Sequence, residues 1–365
     1  MRVSATFATI LLIVGTVDAQ ERPRARDLGI RVGVFEPGPT NGITDVGGVR
    51  VGHVTIARGD SVNTGVTAIL PHAGNVFRRP VTAAAYVANG FGKTVGLPQV
   101  QELGVIETPI LLTCTLCVWK AADALTDLLL KQPGMEDVRS INAVVGETND
   151  GYLNDIRSKP IDAAAVERAV AIADTGVVDE GSVGAGRGTT AFGWKGGIGT
   201  SSRVLPEPAG GFTIGVLVQS NFGGILTIAG APVGRELGRY AFRDLVDGTD
   251  ADGSIMIVLA LDAPVDARQL ARIARRTMLG VGRSGGAMTH GSGDFVIAFS
   301  TAATDSDALP DDALSPIFQA AAEATEEAIY NSLLRATTVN GHRGTADAID
   351  IEQLVEVLGA YGVIR

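Results

Sequence analysis

The sequence predicts an α/β protein built in layers, and three observations carry that prediction. Apolar runs of strand length alternate with Gly-rich turns along the chain, at residues 65–70, 110–112, 141–145, 212–218, 255–261 and 295–299. Segments of helical periodicity lie between and after them. Two of the runs, "IMIVLAL" and "FVIAF", are apolar without alternation, the pattern of strands covered on both faces. Such strands need cover on each side, so helices and sheets must stack.

The helical segments follow from spacing. In "AADALTDLLL", Ala121 to Leu130, apolar residues fall at 121, 124, 125, 128 and 129, and residues 163–173 repeat the pattern. In "DARQLARIARRTML", Leu270, Ile273, Ala274 and Met278 share one face and the arginines lie opposite. Ser315 and Pro316 supply an N-cap and a first-turn proline for a helix running through Ile317, Phe318, Ala321, Ala328, Ile329 and Leu333.

Composition sets the limits. A chain of 365 residues suits one large domain or two ordinary ones, and no repeat or long linker divides it. With 45% hydrophobic and 19% charged residues it can bury a large core, which excludes a disordered chain. The 47 glycines, scattered as GG and GxG, point to many tight turns. A net charge of −10 argues against nucleic acid as a partner, since phosphate binding needs clustered Lys and Arg.

The N-terminus has the form of a secretory signal peptide over residues 1–19. Arg2 gives the basic start, Val3 to Val17 the apolar stretch, and Val17-Asp18-Ala19 the small-residue cleavage site. The stretch is short for a membrane helix, which needs about 20 residues. Export to a periplasm or outside the cell is expected, with no membrane association once the leader is removed. Cys114 and Cys117 form a single CxxC. It fits buried packing, a local disulfide or a redox couple. There is no second CxxC, and His53, His72, His290 and His342 lack ligand spacing, so no metal is expected.

Four places carry chemistry. In "DGSIMIVLAL", Ser254 stands where an acidic loop becomes an apolar strand, with Gly253 before it. Gly, Asp and Ser punctuate loops for conformational reasons alone. Cleavage of the Gly253–Ser254 bond would also give the serine a free α-amine of pKa about 7.7–8.0, a base within reach of its own hydroxyl. In "THGSGDFVIAFST", Ser292 and Asp294 stand two apart at a strand entrance, where a hydroxyl backed by a carboxylate can orient a proton; His290 offers a Ser-His-Asp alternative. In "VQSNFGG", Asn221 follows an apolar strand and can donate its amide to an oxyanion. In "GETNDGYLND", Glu147 can pair with a substrate ammonium and Tyr152 can line a pocket. The GxGxG spacing at Gly184, Gly186 and Gly188 lacks the Lys-Ser/Thr ending of a phosphate loop, so a nucleotide site is not expected.

Taken in order, "GITDVGGVRVGHVTI", "TGVTAILPH", "NGFGKTVGLPQVQELGVIETPILLT", "GETNDGYLNDIR", "GSVGAGRGTTAFGWKGGIGTSSR", "VQSNFGG", "DGSIMIVLALDAP" and "GSGDFVIAFST" resemble the L-aminopeptidase/D-esterase-amidase family of self-processing serine peptidases. That family includes the β-peptidyl aminopeptidases, and the likeness covers nearly the whole chain after the leader. It implies a four-layer α/β/β/α sandwich, similar in architecture to N-terminal-nucleophile hydrolases but differently connected. It also implies a single catalytic domain over 20–365, cut into an α chain 20–253 and a β chain 254–365.

By the same resemblance Ser254 is the nucleophile, freed by cleavage after Gly253. Ser292 and Asp294 support it, Asn221 stabilises the oxyanion, Glu147 holds the substrate amine and Tyr152 lines the pocket. No cofactor is implied. The expected substrate is a small peptide or amino acid amide, and the expected assembly a tetramer of α/β heterodimers. Cys114, Cys117 and Trp119 depart from the family's pattern in their stretch, which bears on substrate preference. The base is either the Ser254 amine or the Ser292–Asp294 pair. Two other readings stand beside this one: an ornithine-acetyltransferase-type acyltransferase, which normally uses threonine, and a secreted binding protein with Gly253–Ser254 intact.

Overall fold

The structure, a computed structural model, describes residues 22–243 and 253–364. The expected leader, residues 1–19, lies outside them.

Two sheets form the centre. The larger has six strands in the order β4-β3-β12-β11-β10-β9, made of β3 (Val81–Gly90), β4 (Val105–Ile106), β9 (Gly197–Val204), β10 (Thr213–Asn221), β11 (Ser254–Leu261) and β12 (Gly293–Ser300). The smaller has four, β1-β2-β5-β6, made of β1 (Arg50–Arg58), β2 (Val62–Leu70), β5 (Ile110–Cys114) and β6 (Val144–Thr148). Two hairpins lie outside these sheets: β7 (Thr190–Ala191) with β8 (Trp194–Lys195), and β13 (Val339–Gly341) with β14 (Gly344–Ala346). Each large sheet is antiparallel except for one pair, β11 with β12 and β5 with β6. A parallel pair needs a crossover, and here a helix makes each one: Ala267–Ser284 between β11 and β12, and Val118–Leu130 between β5 and β6.

Those crossover helices become the outer layers. Side-chain alternation splits each strand between two cores. On β11, Met256, Val258 and Ala260 join Leu112 of β5 and Val144 of β6 in the core between the sheets. Ile255, Ile257, Leu259 and Leu261 face the opposite way, against Leu270 and Ile273 of one helix and Ile317 and Ala324 of Ser315–Leu334. On the far side Leu111, Val145, Val66 and Ala68 pack on the helices Val118–Leu130 and Ala163–Ala171. Three cores between four layers make an α/β/β/α sandwich, and full burial of each aliphatic side chain contributes roughly 1.5–3 kcal/mol. Among the described residues no helix is long and apolar enough to cross a membrane.

Several boundaries shift by a few residues from expectation, and two of the shifts have a local cause. The strand expected at 141–145 is found at Val144–Thr148, because the Asn142 N–H is held by Glu107 Oε1 at 2.6 Å before pairing with β5 begins. Ser315 is already helical, since a 3-10 turn over Asp311–Leu314 leads straight into the helix and displaces the cap. Cys114 and Cys117 are wholly buried in the outer core of the smaller sheet and are joined to each other.

One buried charge cluster ties the N-terminal segment to the larger sheet. Arg203, on β9, donates to Glu327 Oε2 at 2.8 Å, Glu323 Oε2 at 3.3 Å, Ser201 Oγ at 2.9 Å and Val32 O at 3.0 Å. Glu323 also accepts from the N–H groups of Val34 and Phe35, and Glu327 from Asn41 and Arg26.

Candidate active site

The site forms where β11 begins. Ser254 stands opposite Asn221, the last residue of β10, in the antiparallel register. On its other side it pairs with Gly293, the first residue of β12, so Ser292 and Asp294 flank its neighbour. Glu147 arrives from β6 of the other sheet, and Phe91 and Lys93 from the loop after β3. Ser254, Gly253, Asn221, Glu147, Lys93 and Phe91 line one pocket of about 120 Å³.

Gly253 is fixed from two directions. Its carbonyl oxygen accepts the Gly293 N–H at 3.1 Å. A side chain at 253 would place its Cβ 2.3 Å from Phe222 Cα, so only glycine fits against that backbone. The carbonyl before Ser254 is therefore both held and polarised. The Ser254 hydroxyl lies on the pocket wall and hydrogen-bonds no described residue.

The Asn221 side chain is oriented by its partners. Its Oδ1 accepts the Thr190 N–H at 3.0 Å, which only the oxygen can do, and its Nδ2 donates to Asn149 O at 3.0 Å. One amide hydrogen remains for an oxyanion in the pocket. Behind Asn221, Lys195 is wholly buried and donates to Gly186 O at 2.8 Å and Gly196 O at 2.7 Å, closing the turn that presents Thr190. Burial holds its pKa well below the ordinary lysine value. Asp150, also buried, is pushed up to about 7 by desolvation.

Glu147 and the Ser292–Asp294 pair are buried acids with capacity to spare. Glu147 Oε1 accepts the Lys93 main-chain N–H at 2.9 Å, while Oε2 is buried without a hydrogen bond of good geometry, the Thr115 hydroxyl being its near neighbour. Burial pushes the Glu147 pKa up, and Lys93 opposes the rise. Ser292 Oγ donates to Asp294 Oδ1 at 2.7 Å, and Asp294 Oδ2 is buried without a partner. Burial raises Asp294 to about 6 against the pull of the Ser292 hydroxyl. A bulge between Asp294 and Phe295 interrupts the ladder with β3 at this point, a common device for re-aiming a side chain at a site.

Five of the expected residues, Ser254, Asn221, Glu147, Ser292 and Asp294, are thus brought together around the Gly253 carbonyl. Tyr152 is not. The turn that begins at Asp150 carries it outward, its carbonyl accepts the Arg343 N–H at 2.9 Å, and its ring packs over Gly344 of the β13–β14 hairpin. It is 46% exposed and stands outside the pocket. His290 is exposed beside Phe91 and does not reach the pocket, so no Ser-His-Asp arrangement forms. Sequence reasoning missed Lys93, Phe91, Asn149, Asp150 and Lys195. A lysine in the Gly-punctuated "NGFGK" was the visible signal, but nothing in the sequence pairs β3 with β12. Among the described residues no cluster of His, Cys, Asp or Glu is placed to hold a metal.

Comparison with known proteins identifies the family and the fold. Residues 41–347 match the model of peptidase family S58. The chain is 41% identical to a β-peptidyl aminopeptidase, BapA, of Sphingosinicella microcystinivorans, over 96% of this chain and 95% of that protein. Its fold superposes on the PH0078 protein of Pyrococcus horikoshii OT3 with a TM-score of 0.87, at 46% identity, over 93% and 99% of the two chains. It superposes equally fully on the L-aminopeptidase D-Ala-esterase/amidase of Ochrobactrum anthropi, with a TM-score of 0.85, 37% identity and coverage of 94% and 100%. That protein is described as a prototype of the serine aminopeptidases and a variant of the N-terminal-nucleophile hydrolase fold. With a serine at the mouth of a pocket, an oriented amide beside it and relatives of this kind over its length, the chain belongs to peptidase family S58 and is a serine aminopeptidase/amidase.

Proposed function

We propose that the chain cuts itself between Gly253 and Ser254 and then removes N-terminal residues, β-amino acid residues among them, through an acyl-enzyme on Ser254. The observation that carries this reading is the environment of the Gly253 carbonyl, held by the Gly293 N–H with the Ser254 hydroxyl next in sequence and Asn221 opposite. In maturation, Ser254 Oγ attacks that carbonyl carbon, the C–N bond breaks, and the departing nitrogen takes the proton to become an α-amine. Water then hydrolyses the ester, releasing the Gly253 carboxylate and restoring the hydroxyl.

In turnover the α-amine takes the proton of Ser254 Oγ as the oxygen adds to the substrate carbonyl. Asn221 Nδ2 and the Gly293 N–H, released from Gly253, donate to the oxyanion. The C–N bond of the substrate breaks, its leaving amine takes the proton, and water resolves the acyl-enzyme. Glu147 binds the substrate ammonium, and Ser292–Asp294 supports the proton path beside the new N-terminus. Export after loss of residues 1–19, an α chain 20–253 with a β chain 254–365, and assembly as a tetramer of such pairs complete the reading.

Denaturing electrophoresis with N-terminal sequencing tests it. The wild type is expected to give two chains, the smaller beginning Ser-Ile-Met. Ser254→Ala is expected to give one chain with aminopeptidase activity lower by about 10⁴-fold or more. An active wild type that stays in one piece overturns the mechanism.

A further inference from the structure

Two groups of opposite charge face the pocket with unused hydrogen-bonding capacity. Glu147 Oε2 is buried and unpartnered. Lys93 Nζ stands 3.8 Å from Glu147 Oε1, beyond hydrogen-bonding reach, and 6.0 Å from the centre of the Phe91 ring. It is ion-paired with Glu147 and meets no other acceptor within hydrogen-bonding distance among the described residues. Two further acids act on this region: Asp150, buried and not on the pocket wall, and Asp294, next to Gly293, which pairs with Ser254. Asn149, on the wall, uses its Oδ1 to accept the Gly151 N–H, which leaves its NH₂ group as a further donor.

We propose that Glu147 and Lys93 act as a clamp for a zwitterionic head group, so that the enzyme favours β-aspartyl peptides and amides. This deepens, and rests on, the reading of Ser254 as the acceptor of a β-amino-acyl group. In such a group the amine sits on the carbon β to the reacting carbonyl. A β-linked aspartyl residue is that skeleton with a carboxylate as the substituent on the amine-bearing carbon. When Glu147 takes the ammonium, that carboxylate is covalently fixed beside it, on the side where Lys93 stands. The C-terminal carboxylate of a dipeptide lies beyond the scissile bond, farther from the ammonium, and fits this pair less well.

Charge balance favours the same class. Glu147 already balances Lys93, from which it stands 3.8 Å away, so an incoming ammonium leaves these three groups with one excess positive charge, which the carboxylate of a zwitterion offsets and an apolar substituent does not. The pocket, about 120 Å³, suits a small substituent of this kind. Lys93 is thus a specificity residue that touches substrate.

The test compares two p-nitroanilides that differ only at this substituent, β-aspartyl with carboxylate and 3-aminobutyryl with methyl. The leaving group carries no carboxylate, so only the acyl side is read. The wild type is expected to favour β-aspartyl in kcat/KM by at least about tenfold. In Lys93→Met the ratio is expected to fall to one or below, and Lys93→Arg to recover part of it; two-chain processing reports that each variant folds. A wild type that prefers 3-aminobutyryl, or a ratio unchanged in Lys93→Met, overturns the clamp while leaving the enzyme reading intact. A processed protein that turns over α-aminoacyl p-nitroanilides and neither β compound overturns the β-amino-acyl reading, and the clamp with it.

Discussion

Two of the regions in which the sandwich buries charge treat it in opposite ways. Around Arg203 every carboxylate is answered: Glu323 and Glu327 share the guanidinium and take further bonds from Val34, Phe35, Asn41 and Arg26. Around Ser254 the acids are left short, with Glu147 Oε2 and Asp294 Oδ2 both buried and unpartnered. Desolvation costs are similar in kind at the two places, so the difference lies in what offsets them. The first cluster is complete in the folded chain alone. The second is complete only when something enters the pocket or a proton moves. Buried charge that is fully answered holds the fold, and buried charge left open marks the chemistry.

Three experiments can break or sharpen that contrast. The largest effect is expected at Arg203. Arg203→Leu leaves two buried carboxylates short of a partner and should lower unfolding stability by about 3–5 kcal/mol, read from a urea melt. A loss below about 1 kcal/mol would show that the cluster is not structural.

Asn221→Ala should act next most strongly, and on rate instead of stability. Losing an oxyanion donor is expected to lower kcat by about 10²–10³-fold, with KM changed far less. A variant whose KM rises while kcat holds would place Asn221 in ground-state binding.

Asp294 supplies the smallest and most diagnostic effect, in pH. Burial raises its folded-state pKa from 3.8 to about 6. Its contribution to stability is therefore fully present below the unfolded value and is lost as pH rises through about 6. Activity should run the other way, growing over the same interval as the carboxylate forms. Asp294→Asn is expected to flatten the stability slope between about pH 4 and pH 6.5 and to lower kcat/KM about 10- to 100-fold. Parallel pH profiles in variant and wild type would remove Asp294 from both roles.

Much of the larger sheet was legible in the sequence, and for a physical reason. β11 and β12 are covered on both faces, so their apolar runs are unbroken and their Ser254 and Ser292–Asp294 entrances stand out. β9 is equally buried but reads "GIGTSSRV", with no apolar run to announce it. A Cβ at Gly199 would lie 2.0 Å from Ala328 O, so the helix backbone sits where side chains would otherwise pack. Its serines and threonine answer polar groups instead: Ser201 Oγ donates to Asn41 Oδ1 at 2.9 Å, Ser202 Oγ to Asp45 Oδ2 at 2.6 Å, and Thr200 Oγ1 to Val216 O at 2.7 Å. The candidate site divides in the same way. Residues at strand ends, Asn221, Ser254 and Asp294, carry a local signal. Lys93 meets Glu147 only because β3 pairs with β12 and the two sheets stack, relations that no local pattern encodes.

The order of strands in the larger sheet has a mechanical consequence. β11 and β12 lie downstream of position 253, yet they are bounded on one side by β10 and on the other by β3, both upstream of it. Were the backbone severed there, the two polypeptides would remain interleaved through a shared ladder, and neither could leave without tearing the sheet down its middle. Dilution should not separate them, and a fresh amino terminus would be born already clamped between two neighbours, with no refolding required before it works.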